Sequence, residues 1–145
     1  MIALIQRVNW AQVRIEESIH SHIGQGLLAF IGIEKEDNEE MANKLLDKIL
    51  AYRVFADEDD KMNLDVKDIG GDLMLVSQFT LAADTSSGLR PGFSAAMPPA
   101  EAEKLYGYTL SAAKEKHEFV GSGKFAADMQ IELENDGPVT FILKV

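Results

Sequence analysis

GLLAFIGI, residues 26–33, runs through eight positions without one polar side chain. A continuous apolar run of this length, with no alternation, reads as a strand covered on both faces. LMLVSQFTLA, 73–82, reads as a second such strand that turns polar towards its end. Two strands covered on both faces need a layer on each side. Between them, EKEDNEE starts a helix, with Asp37 as its cap and Glu40 three residues on. Met41, Leu45 and Ile49, flanked by Leu46 and Leu50, give that helix one apolar stripe.

Working outward, IALIQRV predicts an opening strand over 1–8, a turn at Asn9 and a second strand over 12–17. YRVFADEDD leads into a short strand and an acidic turn. Pro99 opens a second helix as its first residue, and Gly121 and Gly123 break the chain after it. Two closing strands flank Asn-Asp-Gly-Pro, which reads as a hairpin tip. Two strands, strand–helix twice, then strands: this order predicts a mixed α/β sandwich with two helices on one side.

A chain of 145 residues fits one domain, residues 1–145, with a substantial core. It has no cysteine, which excludes disulfides, thiolate nucleophiles and cysteine metal sites. No apolar run approaches a bilayer span. MIALIQRVNW has too short an apolar stretch for a signal peptide, so the expected location is cytoplasmic and no membrane partner is expected. The net charge of −10 argues against a general nucleic-acid coat, which needs a basic face.

His20 and His22 share a strand face but lack a third ligand, so they read as exposed surface histidines. His117 ends the second helix, where a cation suits the dipole. DEDD, 57–60, lacks the glycine and spaced ligands of a calcium loop and reads as a solvated turn. No nucleophile elbow, phosphate loop or HExxH motif is present. No metal and no cofactor is expected. What remains is SQFT, 77–80, at a strand end, where sheets present ligand-binding groups. Backbone N–H groups freed there can hold a developing oxyanion. On composition alone, Ser and Thr tying down a turn is the simpler reading. The stretch 84–98, DTSSGLRPGFSAAMP, is long enough for a functional loop.

SQFTLAADT and NDGPVTF, with IALIQRV, RPGFS and GKFAADM in the same order, resemble the D-aminoacyl-tRNA deacylase (D-tyrosyl-tRNA deacylase) family along the whole chain. Paralogues that accept L-alanyl-tRNA carry PQATL-like and TNGPYTH-like motifs. Ser77, Phe79, Val139 and Phe141 therefore favour the D-specific branch. The resemblance implies a three-layer β/β/α sandwich with mixed sheets and two main helices. It implies hydrolysis of the ester joining a D-amino acid, or glycine mischarged on alanine tRNA, to the 3′ end of tRNA. It also implies a homodimer in which a cis Gly137–Pro138 loop enters the partner's site. There its two carbonyls would hold the substrate ammonium and exclude an L-side chain, with Arg7 bracing the loop. Gln78 and the N–H groups of Phe79 and Thr80 would stabilise the oxyanion, beside Ser77, while the 2′-hydroxyl of the terminal adenosine assists water. Thr80 has no adjacent base, so it is a poor nucleophile. Phe125 and Met129 would line the adenosine or aminoacyl pocket, with core packing as their alternative. Arg90 and Lys104 are candidate RNA contacts. Two positions depart from the pattern: Ala126 stands where many relatives carry glycine, and Gly92 where serine is frequent. An L-alanyl- or glycine-focused deacylase and a non-catalytic RNA-binding dimer are the alternative functions.

Overall fold

A computed structural model describes residues 1–145. The central strand is β1, Ile2–Ile15, followed by β2 (Ser18–Ile23), β3 (Gly26–Gly32) and α1 (Glu39–Leu50). A small hairpin, β4 (Phe55–Ala56) and β5 (Met62–Leu64), precedes β6 (Asp72–Ser77). A 3-10 turn (Phe79–Ala82), α2 (Pro99–Lys116), β7 (Val120–Ser122) and β8 (Gln130–Lys144) complete the chain.

The sheet is mixed. Antiparallel β2–β1–β3 continues into parallel β3–β6–β7, and β8 runs antiparallel along the other edge of β1. As the unbroken apolar run requires, GLLAFIGI is covered on both sides. Leu27, Ala29 and Ile31 pack with Leu45, Ile49 and Leu105 of the helices. Leu28 faces the opposite core, with Val13, Ile23, Met74 and Val76. The result is the expected α/β sandwich, with both helices over one face and the curled β1–β2 ribbon over the other.

Several local expectations are corrected. There is no turn at Asn9: β1 is continuous, and the break in pattern is a phase change. Its pairing with β8 shifts register between Gln6 and Val8 and again between Val8 and Trp10. Ala3 and Ile5 therefore face the helices, while Ala11 and Val13, of the same parity, face the other core. The turn lies instead at Glu16–Glu17, both with positive φ (49° and 67°), the backbone that a two-residue hairpin demands. Asp37 is not the cap of α1. Asn38 is, its side chain accepting from Met41 N at 3.1 Å. Asp37 is drawn away by the Met1 ammonium at 2.6 Å and also accepts from Glu34 N. Gly121 does not break the chain but lies inside β7. β6 ends at Ser77, and Phe79–Ala82 coils rather than extends.

The largest correction concerns Asn-Asp-Gly-Pro. No hairpin forms there. Residues on both sides pair with β1, Asn135 with Val8 and Thr140 with Gln6, so 136–139 bulge out of one long edge strand.

Candidate functional site

The polar end of β6 opens onto a cavity of about 720 Å³. Ser77, Gln78 and Phe79 form one wall, and Phe125, Ala126 and Met129 form the wall opposite. The start of α2 closes a third side with Pro99 and Ala102. The sequence-predicted pair Phe125 and Met129 is thus brought to the same cavity as Ser77, Gln78 and Phe79.

Local structure explains the first wall. After Gln78 N donates to Ile31 O, the chain leaves the sheet and coils into the 3-10 turn. That turn packs on β3 at Gly32, where a Cβ would stand 2.8 Å from Leu81 Cβ. The first N–H groups of such a turn, those of Phe79 and Thr80, have no partner within it. Gln78 Nε2 donates to Thr80 Oγ1 at 2.5 Å, so the Thr80 hydroxyl is the acceptor in this pair. Thr80 is exposed and does not line the cavity.

On the second wall, residues 124–129 form a tight loop. Lys124 N donates to the Met129 thioether at 3.3 Å, and Ala127 N donates to Lys124 O at 3.2 Å. Ala126 lies at φ 58°, the left-handed region where a Cβ is unfavourable. The departure from glycine therefore falls at the one residue of this wall whose backbone favours glycine.

Arg7, Gly137 and Pro138 do not line this cavity. They form a second cluster at the β8 bulge. Arg7 Nε donates to Asp136 O at 2.9 Å and Nη1 to Val54 O at 2.6 Å, with the Asp136 carboxylate 3.3 Å from Nε. The Gly137–Pro138 peptide is cis. Gly137 has φ 138°, and a Cβ there would lie 2.7 Å from Val139 Cγ2. Both Gly137 and Pro138 are exposed. Asn135, which sequence reasoning passed over, closes the neck of the bulge. Its Oδ1 accepts from Val139 N at 2.7 Å, and its Nδ2 donates to Thr140 Oγ1 at 3.0 Å.

Phe93 and Tyr106 were also missed. Phe93 comes from the long loop, just after Gly92, which reciprocal backbone bonds of 2.7 and 2.9 Å tie to Asp84. Its ring lies 5.0 Å from that of Phe79 at the cavity mouth. An aromatic residue set in a polar loop was the available signal. Arg90 and Lys104 are exposed. His20 and His22 are exposed on β2, whereas His117 is buried and its Nε2 lies 2.8 Å from Gly71 O. Asp57 accepts from Asn63 Nδ2 and from the Lys61 and Asp59 amides, which hold its carboxyl below the usual range. No group of His, Asp and Glu side chains is placed to hold a metal ion. No helix is long and apolar enough to cross a membrane.

The D-Tyr-tRNA(Tyr) deacylase family model matches residues 4–144. The chain belongs to this family. A D-aminoacyl-tRNA deacylase from Stutzerimonas stutzeri is 58% identical over 99% of both chains. Another from Erwinia tasmaniensis is 57% identical over the full length of both. Among solved structures, a "c-Myc DNA Unwinding Element Binding Protein" superposes with a TM-score of 0.95 at 38% identity, covering 100% of this chain and 99% of that one. A structure described as "a probable eukaryotic D-amino acid tRNA deacylase" shares the fold alone, with a TM-score of 0.81 at 13% identity and coverage of 99% and 98%. The same sandwich is thus shared by a chain only 13% identical.

Proposed function

We propose that the protein hydrolyses the ester between a D-amino acid and the terminal ribose of tRNA, releasing free amino acid and tRNA. Family membership supports the deacylase activity. The single observation that carries the local chemistry is the end of β6: the chain leaves the sheet in a 3-10 turn beside an apolar cavity, with no nucleophile–base pair.

In this reading the aminoacyl ester enters the cavity with its carbonyl oxygen against the N–H groups of Phe79 and Thr80. Donors preorganised for a developing oxyanion contribute about 2.7–4 kcal/mol each in comparable sites. Water adds to the carbonyl carbon, and the bond to the ribose 3′ oxygen breaks. The 2′-hydroxyl relays the proton from water to that leaving oxygen. Gln78, held by Thr80, positions the ester, and Thr80 is not the nucleophile. Ser77, Phe125 and Met129 contact the aminoacyl-adenosine.

The cavity presents no deep carboxylate to meet the substrate's ammonium group. Asp128, at the exposed rim, is its one acidic lining residue. The acceptors come instead from Gly137 and Pro138 of a second subunit in a two-fold homodimer, because in their own subunit they lie outside the cavity. A main-chain wall at this point excludes an L-side chain and admits a D-side chain or none. Glycine mischarged on alanine tRNA is therefore also a substrate. Charged tRNA as substrate places the protein in the cytoplasm, in translation quality control. The acidic chain contacts RNA locally, at the aminoacyl end. This favours the enzyme over a non-catalytic RNA-binding dimer.

Subunit mixing tests the arrangement. Gln78→Ala and Gly137→Ala homodimers are each expected to be nearly inactive. After exchange, half the dimers carry both variants, and each of these has one intact composite site. Activity then returns to about a quarter of wild type. Absence of recovery, with heterodimer confirmed by mass, would contradict the cross-subunit loop.

A further inference from the structure

Both cavity walls diverge from one buried node. Gly123 N donates to Leu75 O at 2.9 Å where β6 and β7 last pair. The Tyr106 hydroxyl, from α2, donates to the same Leu75 O at 2.9 Å and has Gly123 O as a longer second acceptor at 3.3 Å. Two residues beyond Leu75 the chain reaches Ser77, and two beyond Gly123 it reaches Phe125. The Tyr106 ring also lies 6.0 Å from the Phe125 ring. One turn before Tyr106 on α2, Ala102 lines the cavity itself.

We propose that Tyr106 is a positioning residue of the deacylase site: its hydroxyl ties the β6 wall, the β7 wall and α2 at a single point. The proposal rests on the functional reading above. The packing role of a buried tyrosine does not by itself require the hydroxyl, since phenylalanine fills the same space. Leu75 O would keep its bond from Gly123 N, so removing the hydroxyl orphans no buried carbonyl at that position. What is lost is the link between walls that must face each other across the ester. Burial also pushes the phenol well above its usual range, so the hydroxyl keeps its proton as donor through neutral and mildly alkaline pH.

Tyr106→Phe is the test, compared with wild type and with Ala112→Gly, a change in the same helix remote from the node. All are assayed well below their melting temperatures. For Tyr106→Phe, kcat on D-aminoacyl-tRNA is expected to fall about tenfold with KM unchanged, because misaligned groups cost chemistry more than binding. Amide exchange at Gly123 should quicken in the same variant. Ala112→Gly should lower the melting temperature while leaving kcat and Gly123 exchange as in wild type. A wild type with no deacylase activity would overturn the functional reading, with Gly123 exchange still reporting on the node. An active wild type, matched by Tyr106→Phe in both kcat and Gly123 exchange, would overturn the positioning role.

Discussion

Arg7 Nε donates to the carbonyl oxygen of Asp136 at 2.9 Å, across the bulge where β8 leaves β1 between Asn135 and Thr140. The guanidinium also reaches Val54 O, so it ties the bulge to the chain before β4. Hydrogen bonds from charged groups contribute about 1.5–3 kcal/mol each. With two such bonds, Arg7→Ala should therefore lose about 3 kcal/mol or more, a fall in melting temperature of roughly 10 °C or more. Lysine cannot fork between two acceptors in this way. Arg7→Lys should be nearly as impaired in deacylation as Arg7→Ala, which rate measurements on the two folded variants will check.

Gly137→Ala should separate folding from function. The new Cβ would meet Val139 Cγ2 at 2.7 Å and Val139 N at 3.0 Å, in a backbone conformation that side chains rarely adopt. The bulge must shift, at a cost of about 1–3 kcal/mol, but the site is exposed and the core strands are not disturbed. Circular dichroism is expected to be unchanged while D-aminoacyl-tRNA hydrolysis falls at least about a hundredfold. Wild-type rates would show that the bulge takes no part in the site.

Gln78 and Thr80 should differ in effect. Gln78→Ala removes the group proposed to position the ester and should lower kcat by about 10²–10³. Thr80→Val keeps the shape and removes the acceptor for Gln78 Nε2, so a loss of up to about tenfold, that of one neutral hydrogen bond, is expected. Complete inactivity of Thr80→Val, with an acyl-enzyme on the wild-type residue, would instead mark Thr80 as a nucleophile.

The framework was legible because its signal is local. GLLAFIGI and LMLV announce strands covered on both faces whatever lies far away, and ahead of a helical pattern Pro99 fits only its first turn. Long-range partners decided the rest. Asn-Asp-Gly suits a hairpin and a bulge equally, and only the pairing of Thr140 with Gln6 and Asn135 with Val8 distinguishes them. Asp37 and Asn38 are equivalent as caps until the Met1 ammonium claims Asp37. At the site, the polar end of β6 was readable from SQFT and its resemblance. Tyr106 was not, because nothing in the sequence tells that its hydroxyl meets Leu75 O and Gly123 O.

Tyr106 also leaves a mark on alkaline stability. Its folded phenol titrates above the ordinary value of 10.0, mainly through burial. Above about pH 10 the unfolded phenol releases its proton while the folded one retains it, so stability falls as pH rises. The contribution is fully present below that pH and lost at about 1.4 kcal/mol per unit above it. Denaturant titrations should show wild type losing stability relative to Tyr106→Phe as pH rises through this window. Parallel curves would mean that Tyr106 titrates normally.

The most direct measurement is a paired one: hydrolysis of D-tyrosyl-tRNA and L-tyrosyl-tRNA by the same preparation, with and without exhaustive chelation by EDTA. The D-ester should be hydrolysed, the L-ester should persist at its spontaneous rate, and chelation should change neither, since the proposed mechanism rests on backbone N–H groups and the substrate's own 2′-hydroxyl. Equal rates on both enantiomers, or activity lost to EDTA and restored by zinc, would contradict a chirality filter built from main-chain atoms.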